Sequence, residues 1–176
     1  WLVSEADERE RLSLCAINLS GQSLADEKFL PFVIEQFKKS GLSGSCICFE
    51  ITETAAIASY SQANRFIHAL KELGCRFALD DFGTGLSSFG YLKHFPVDFL
   101  KIDVEGHEPA VLRGGNFRRW RPVVMVIEAT ESESQTPNHG AWEPLVLAAD
   151  YLFAAFDGLN RYYVRAEDAQ LLPVLQ

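Results

Sequence analysis

The chain has 176 residues, 48% of them hydrophobic and 23% charged, which predicts one ordinary globular α/β domain with a real core. Its formal net charge of −8 argues against a general nucleic-acid or membrane-surface binder, because such proteins carry a basic face. No apolar run approaches the roughly 20 residues of a membrane span, and the opening WLVSEADERERL lacks the apolar stretch of a signal peptide.

Strand and helix signals alternate along the chain. SLCAINLS (13–20) reads as a strand, followed by an amphipathic stretch DEKFLPFVIEQFKKSG (26–41), with Asp26 as its N-cap and Gly41 beyond its end. SCICFEITE (45–53) is the next strand, and SQANRFIHALKELG (61–74) the next helix, with Ser61 as N-cap and Gly74 as the stop. RFALDDFG (76–83), a helical SSFGYLKHF (87–95) and VDFLKIDVEG (97–106) follow, then EPAVLRGG (108–115) as a helix. The remainder reads as strand PVVMVIEAT (122–130), helix WEPLVLAAD (142–150), and strands LFAAFDG and RYYVR. Alternating units of this kind imply a mainly parallel sheet. Only GLN separates the last two strands, too little for a parallel crossover, so they should pair as an antiparallel hairpin.

Chemistry collects at the strand ends. Side chains alternate across a strand, so Leu14, Ala16 and Asn18 share one face. The matching sets are Cys46, Cys48 and Glu50, then Ala78 and Asp80, then Phe99, Lys101 and Asp103. These faces start apolar and finish polar at the C-terminal edge, where parallel-sheet active sites form. Asn18, Glu50, Asp80 and Asp81 are hard oxygen donors that suit Mg²⁺, Mn²⁺ or Ca²⁺. Adjacent carboxylates can bridge two ions for phosphodiester hydrolysis, with Lys101 stabilising phosphoryl charge or orienting a water. Against this stands the plain possibility that each polar residue only marks a strand end.

Other residues carry ordinary readings. Cys15, Cys46, Cys48 and Cys75 match no zinc spacing and are expected to be buried, reduced thiols of a cytoplasmic protein. His68, His94 and His107 lack metal-spaced partners; Ser87 and Ser88 are helix-capping candidates. Trp120, Trp142, Tyr162 and Tyr163 read as packing residues, since no basic groove accompanies them. Residues 129–143 read as a surface loop.

ALDDFGTGLSSFGYLKHFPVDFLKID, with INLSGQSL and FEITET upstream, resembles the signature of EAL domains over about residues 8–103. The resemblance implies a (β/α)₈-type barrel that hydrolyses cyclic-di-GMP with Mg²⁺ or Mn²⁺. It implies metal ligation by Asn18, Glu50, Asp80 and Asp81, and Lys101 at the hydrolytic water. Glu53 would brace the loop of Asp81, Phe82, Gly83, Thr84 and Gly85, which shapes substrate binding. Several family motifs are missing: the Glu-Ala-Leu strand upstream, a later-strand glutamate and a Gln-Gly near the end. Metal binding is therefore expected to be weak, and turnover weak or lost. A cyclic-di-GMP or partner-binding module without catalysis is the alternative.

A second resemblance covers about residues 99–175. FLKIDVEGHEPAVLRGG, RPVVMVIEAT and DGLNRYYV are similar to the C-terminal part of FkbM-family S-adenosylmethionine (SAM)-dependent methyltransferases. It implies a Rossmann-like half with Asp103 and Glu105 at the rim of a methyl-transfer cleft and Glu128 at the next strand's end. No Gly-rich cofactor turn follows a strand here, so SAM binding is not expected. A methyltransferase fragment is the third reading of function.

All six lysines and all four cysteines lie at or before residue 101, which also hints at a seam. The expected organisation is therefore a partial EAL domain over 1–103 and a partial methyltransferase domain over 104–176, sharing one sheet through the LKID strand. Recombination, natural or artificial, or an assembly error would produce such a join; a single divergent family is the alternative. Trp1 in place of an initiator methionine reads as the start of a fragment. With too few strands to close a barrel, the apolar face should stay open and favour self-association.

Overall fold

The computed structural model describes residues 13–84, 90, 94–131 and 136–175. One seven-stranded sheet runs through them: β1 (Cys15–Leu19), β2 (Ile47–Thr52), β3 (Arg76–Asp80), β4 (Phe99–Ile102), β5 (Val124–Glu128), β6 (Tyr151–Phe156) and β7 (Asn160–Arg165). The spatial order is β1-β2-β3-β4-β5-β7-β6. β1 to β5 run parallel to one another. β7 lies antiparallel to both β5 and β6, the expected hairpin. Its turn is Asp157-Gly158-Leu159; Gly158 sits at φ +101°, open to glycine at little cost.

Helices cover one face. They are α1 (Gly21–Ala25), α2 (Phe29–Ser40), α3 (Glu53–Ala58), α4 (Tyr60–Lys71), α5 (Glu108–Gly114) and α6 (Glu143–Ala148); a seventh, α7 (Leu172–Leu175), lies against the opposite face. In α4, Ala63, Phe66, Ile67 and Leu70 recur at helical spacing and are buried against the sheet. Their partners are the inward residues Ile47, Phe49, Ile51, Phe77, Leu79, Leu100 and Ile102. Phe66 meets Phe49 and Phe77 edge-on, with ring centroids 5.5 and 6.2 Å apart. Trp142 and Tyr163 are fully buried and pack against each other, so both are structural as expected. Trp120 stacks near Phe82 and Phe117 and donates to the Phe95 carbonyl.

Several local expectations need correction. Asp26 closes α1 rather than opening α2, whose N-cap is Lys28; its carboxylate instead accepts from the Lys28 amide. Ser61 lies inside α4, which begins one residue after Ser59. Gly41 does end α2, in the left-handed region at φ +62°. Two short helices fill stretches to which the sequence reading assigned no element: α1 buries Leu24, and α3 is capped by Thr52, whose hydroxyl accepts from Ala55 N. Cys46 belongs to a 3₁₀ turn and its thiol faces Ser43 O, so it does not line the sheet. Cys48 and Cys75 are buried, while Cys15 and Cys46 are half-buried; all four are free thiols. The expected helix 87–95 falls largely outside the described residues, as do Gly85, Ser87 and Ser88.

The opposite face divides in two. Beside β5, β7 and β6, the C-terminal residues Leu171, Leu172 and Leu175 pack on Val124, Ala154 and Val164. Beside β1 to β4, Leu14, Ala16, Cys48, Ala78 and Phe99 line an open hollow of about 230 Å³ with Glu50, Asp80 and Lys101 at its polar end. No helix among the described residues is long and apolar enough to cross a membrane.

Candidate functional site

Strand register decides which polar side chains meet. Asn18 pairs with Glu50 across β1 and β2, and Thr52 with Asp80 across β2 and β3. Asn18, Glu50, Asp80 and Lys101 therefore stand on the open face near its C-terminal edge. Lys101 Nζ lies 3.4 Å from Asp80 Oδ1 and 3.2 Å from Asp103 Oδ2. Partial burial pulls its ammonium down, but the two carboxylates outweigh that and hold its pKa above the usual lysine value.

The turn after β3 is built tightly. Asp81 adopts φ +54° and is exposed, and its amide donates to Asp80 Oδ1 at 2.9 Å. Thr84 closes the turn by donating from its hydroxyl and its amide to Asp81 O. Phe82 is buried, and its amide donates to Lys101 O. Gly83 sits at φ +102°, where an added Cβ would lie 2.4 Å from Val111 Cγ2. Its amide donates to Glu53 Oε2 at 2.8 Å. Glu53 is only 1% exposed at the start of α3, so a buried carboxylate fixes the loop from below. Phe82 and Gly83 also border a cleft of about 740 Å³ whose other wall carries Asp103, Glu105, His107 and Val111.

Past β4 the carboxylates continue. Glu105 is exposed at φ +51°. Glu108 is fully buried, and its Oε1 accepts from the amides of Val104 and Gly106, both at 3.2 Å. Glu128, at the end of β5, is 7% exposed. Burial, then the charges of Asp103, Glu105 and Glu108, push its pKa from 4.5 up to about 7. A line Asp80–Lys101–Asp103–Glu128 thus crosses the strand edge. Glu108 was not singled out from sequence, although a glutamate at a helix start beside Pro109 is a recognisable capping signal. His94 and His107 are exposed.

The donor chemistry of Asn18, Glu50, Asp80 and Asp81 suits Mg²⁺ or Mn²⁺, but their placement does not. Among the described residues no three His, Cys, Asp or Glu side chains are arranged to hold a metal ion. The cation beside Asp80 is the Lys101 ammonium.

A parallel sheet whose polar groups gather at its C-terminal edge defines an α/β protein with an edge site. Residues 2–106, more than half of the chain, match the EAL domain model, and the chain belongs to that family. Residues 84–153 match the Methyltransferase FkbM domain, so the two matches overlap across β4. Cyclic di-GMP phosphodiesterase PdeB of Shewanella oneidensis is 46% identical over 88 residues, 50% of this chain and 10% of PdeB. Cyclic di-GMP phosphodiesterase PdeA of Borreliella burgdorferi is 39% identical over 92 residues, 52% of this chain and 14% of PdeA. The chain thus spans a small part of these relatives. The solved PaMucR phosphodiesterase, a c-di-GMP complex, is similar with a TM-score of 0.58 at 26% identity, covering 84% of this chain and 68% of that one.

Proposed function

We propose that this chain is an EAL-type cyclic-di-GMP phosphodiesterase module with little or no turnover of its own. One observation carries the reading: the open edge keeps Asn18, Glu50, Asp80 and Lys101 on one face, yet Lys101 is engaged by Asp80 and Asp103. Phosphodiester hydrolysis needs donors placed where charge develops on the phosphate. An ammonium committed to two carboxylates must give up both contacts to serve there. Losing one member of such a constellation commonly costs on the order of 10²–10⁴-fold in rate.

A second reading, binding without hydrolysis, is favoured by the loop at residues 81–84. Glu53 and the buried Phe82 hold it in shape from the helix side, in addition to the bond from the Asp81 amide to Asp80 Oδ1. Incubating the chain with cyclic-di-GMP and Mn²⁺ and following linear pGpG by chromatography tests the main reading. The expected result is no product above the uncatalysed background. Product that Glu50→Ala abolishes would overturn it. Saturable binding of labelled cyclic-di-GMP without product would support the second reading.

A further inference from the structure

The sheet ends on β6, which pairs with β7 on one side and with no described strand on the other. Its residues, Tyr151 to Phe156, include no charge and no proline, the devices that ordinarily keep an edge strand from pairing. Hydrogen bonds fix the direction of its main chain. Ala166 N donates to Asp150 O, and Arg165 N donates to Val123 O, away from β6. Successive residues of a strand turn their main-chain groups to opposite sides. Leu152, opposite Val164, therefore faces β7, and Tyr151 and Phe153 turn their N–H and C=O groups outward. The bulge between Phe153 and Ala155 bends the strand only beyond these two residues.

Apolar side chains gather at the same edge. Of nine large apolar side chains exposed among the described residues, six lie in α6, in β6 and in the turn after it: Leu145, Leu147, Leu152, Phe153, Phe156 and Leu159. At 37–48% exposure each, they offer on the order of 400 Å² per copy. Two such surfaces with the strand backbone reach about 1,000 Å², the lower limit of a specific interface. Asp157, just past the strand, is turned into its own turn, where it accepts from Leu159 N, Asn160 N and Tyr162 OH. At a net charge of −8, two copies repel unless their contact is uncharged, and residues 151–156 are uncharged. An antiparallel pair of identical strands is also self-complementary about a twofold axis.

We propose that the chain forms a twofold dimer by antiparallel pairing of β6 with β6 of a second copy, with Leu152 on the axis. Tyr151 of each copy then stands opposite Phe153 of the other, and each such pair exchanges both of its N–H···O=C bonds. Asp150 comes opposite Ala154, so the axis brings no like charges face to face. The same register carries Phe156 toward Ala148 of the second copy, beside the exposed Leu147. Each β6 edge is used once, so the assembly closes at two copies. The contact lies at the far edge of the sheet from Asn18 and Glu50 and does not depend on the cyclic-di-GMP reading.

Sedimentation equilibrium of the full chain tests the dimer. One copy is expected to pass into two as concentration rises toward about 1 mM. Leu152→Lys sets two ammonium groups opposite each other at the axis and should weaken association by about tenfold or more. Phe32→Lys, an exposed change on α2, should leave association unchanged. Leu152→Cys supplies a gain that no folding defect can imitate. Directly opposed residues of this kind have Cα atoms about 4.5 Å apart, within disulfide reach. Mild oxidation should therefore link two copies of Leu152→Cys, but not of Leu159→Cys, although Leu159 is more exposed. A single copy at every concentration, assemblies larger than two, or equal linking through Leu159→Cys would overturn the proposal. Undiminished association of Leu152→Lys would overturn it too, and would assign the contact to the open face of β1 to β4.

Discussion

Asp98 is the residue through which β4, the carrier of Lys101, is fixed to its surroundings, and Asp98→Ala is the informative perturbation. Its carboxylate accepts from Lys71 Nζ through both oxygens at 2.8 Å and from Phe77 N at 2.9 Å. Its backbone adds two more bonds, Asp98 N to Phe77 O and Val124 N to Asp98 O. One residue thus ties α4, β3, β4 and β5 together at the end of the sheet opposite the site. Alanine keeps the backbone bonds and removes the carboxylate. The Phe77 amide, on a fully buried residue, then loses its acceptor, a cost of about 1–3 kcal/mol. The Lys71 pair is part-exposed and contributes about 0.2–1 kcal/mol. The sum is about 1–4 kcal/mol. Urea unfolding followed by tryptophan fluorescence should show the midpoint falling by about 1 M or more for Asp98→Ala. Asp98→Asn keeps an acceptor for Phe77 and should lose only about 1 kcal/mol. A loss below about 1 kcal/mol in Asp98→Ala, or equal losses in the two variants, would refute the reasoning.

Gly83→Ala should destabilise the fold by about 2–4 kcal/mol, from left-handed strain and from overpacking against Val111. Thermal unfolding of Gly83→Ala with and without Val111→Ala checks it: the second change should return part of the loss, and no recovery would mean that the clash is not the cause. Glu128 has a folded-state pKa raised from 4.5 to about 7, so the folded protein binds the extra proton between those values. Stability associated with it is complete below pH 4.5 and disappears as pH rises through about 7, a change on the order of 3 kcal/mol. In chelator-containing buffer, Glu128→Gln should gain on the parent protein between pH 5 and pH 8, as read by urea midpoints; a gap independent of pH would contradict the assignment. Glu53→Ala should loosen the loop at Gly83, measured as faster amide exchange at residues 82–84. Unchanged exchange there would show that Glu53 does not hold it.

Strand alternation is a local property, and local properties are legible in the chain. The period of two alone puts Ala16, Asn18, Cys48, Glu50, Ala78, Asp80, Phe99 and Lys101 on one face, because successive side chains must point to opposite sides of a pleated strand. The short GLN connection requires the β6–β7 hairpin for the same kind of reason. Cap assignments at Asp26 and Ser61 fail because side-chain chemistry alone does not say where a helix starts. α1 and α3 take up the preceding residues once Leu24 and Ala56 find buried positions. The insertion of β7 between β5 and β6 is not readable in the chain, since pairing across distant strands depends on which edges remain free. That insertion sets Asn160 beside Glu128, and the folding of the β4 exit sets Asp103 beside both Lys101 and Glu128. Local pattern therefore selects the residues that can act. Which charges meet is settled by the packing of distant segments, because a carboxylate's role follows from its neighbours and its burial, and both come from contacts far apart in the chain.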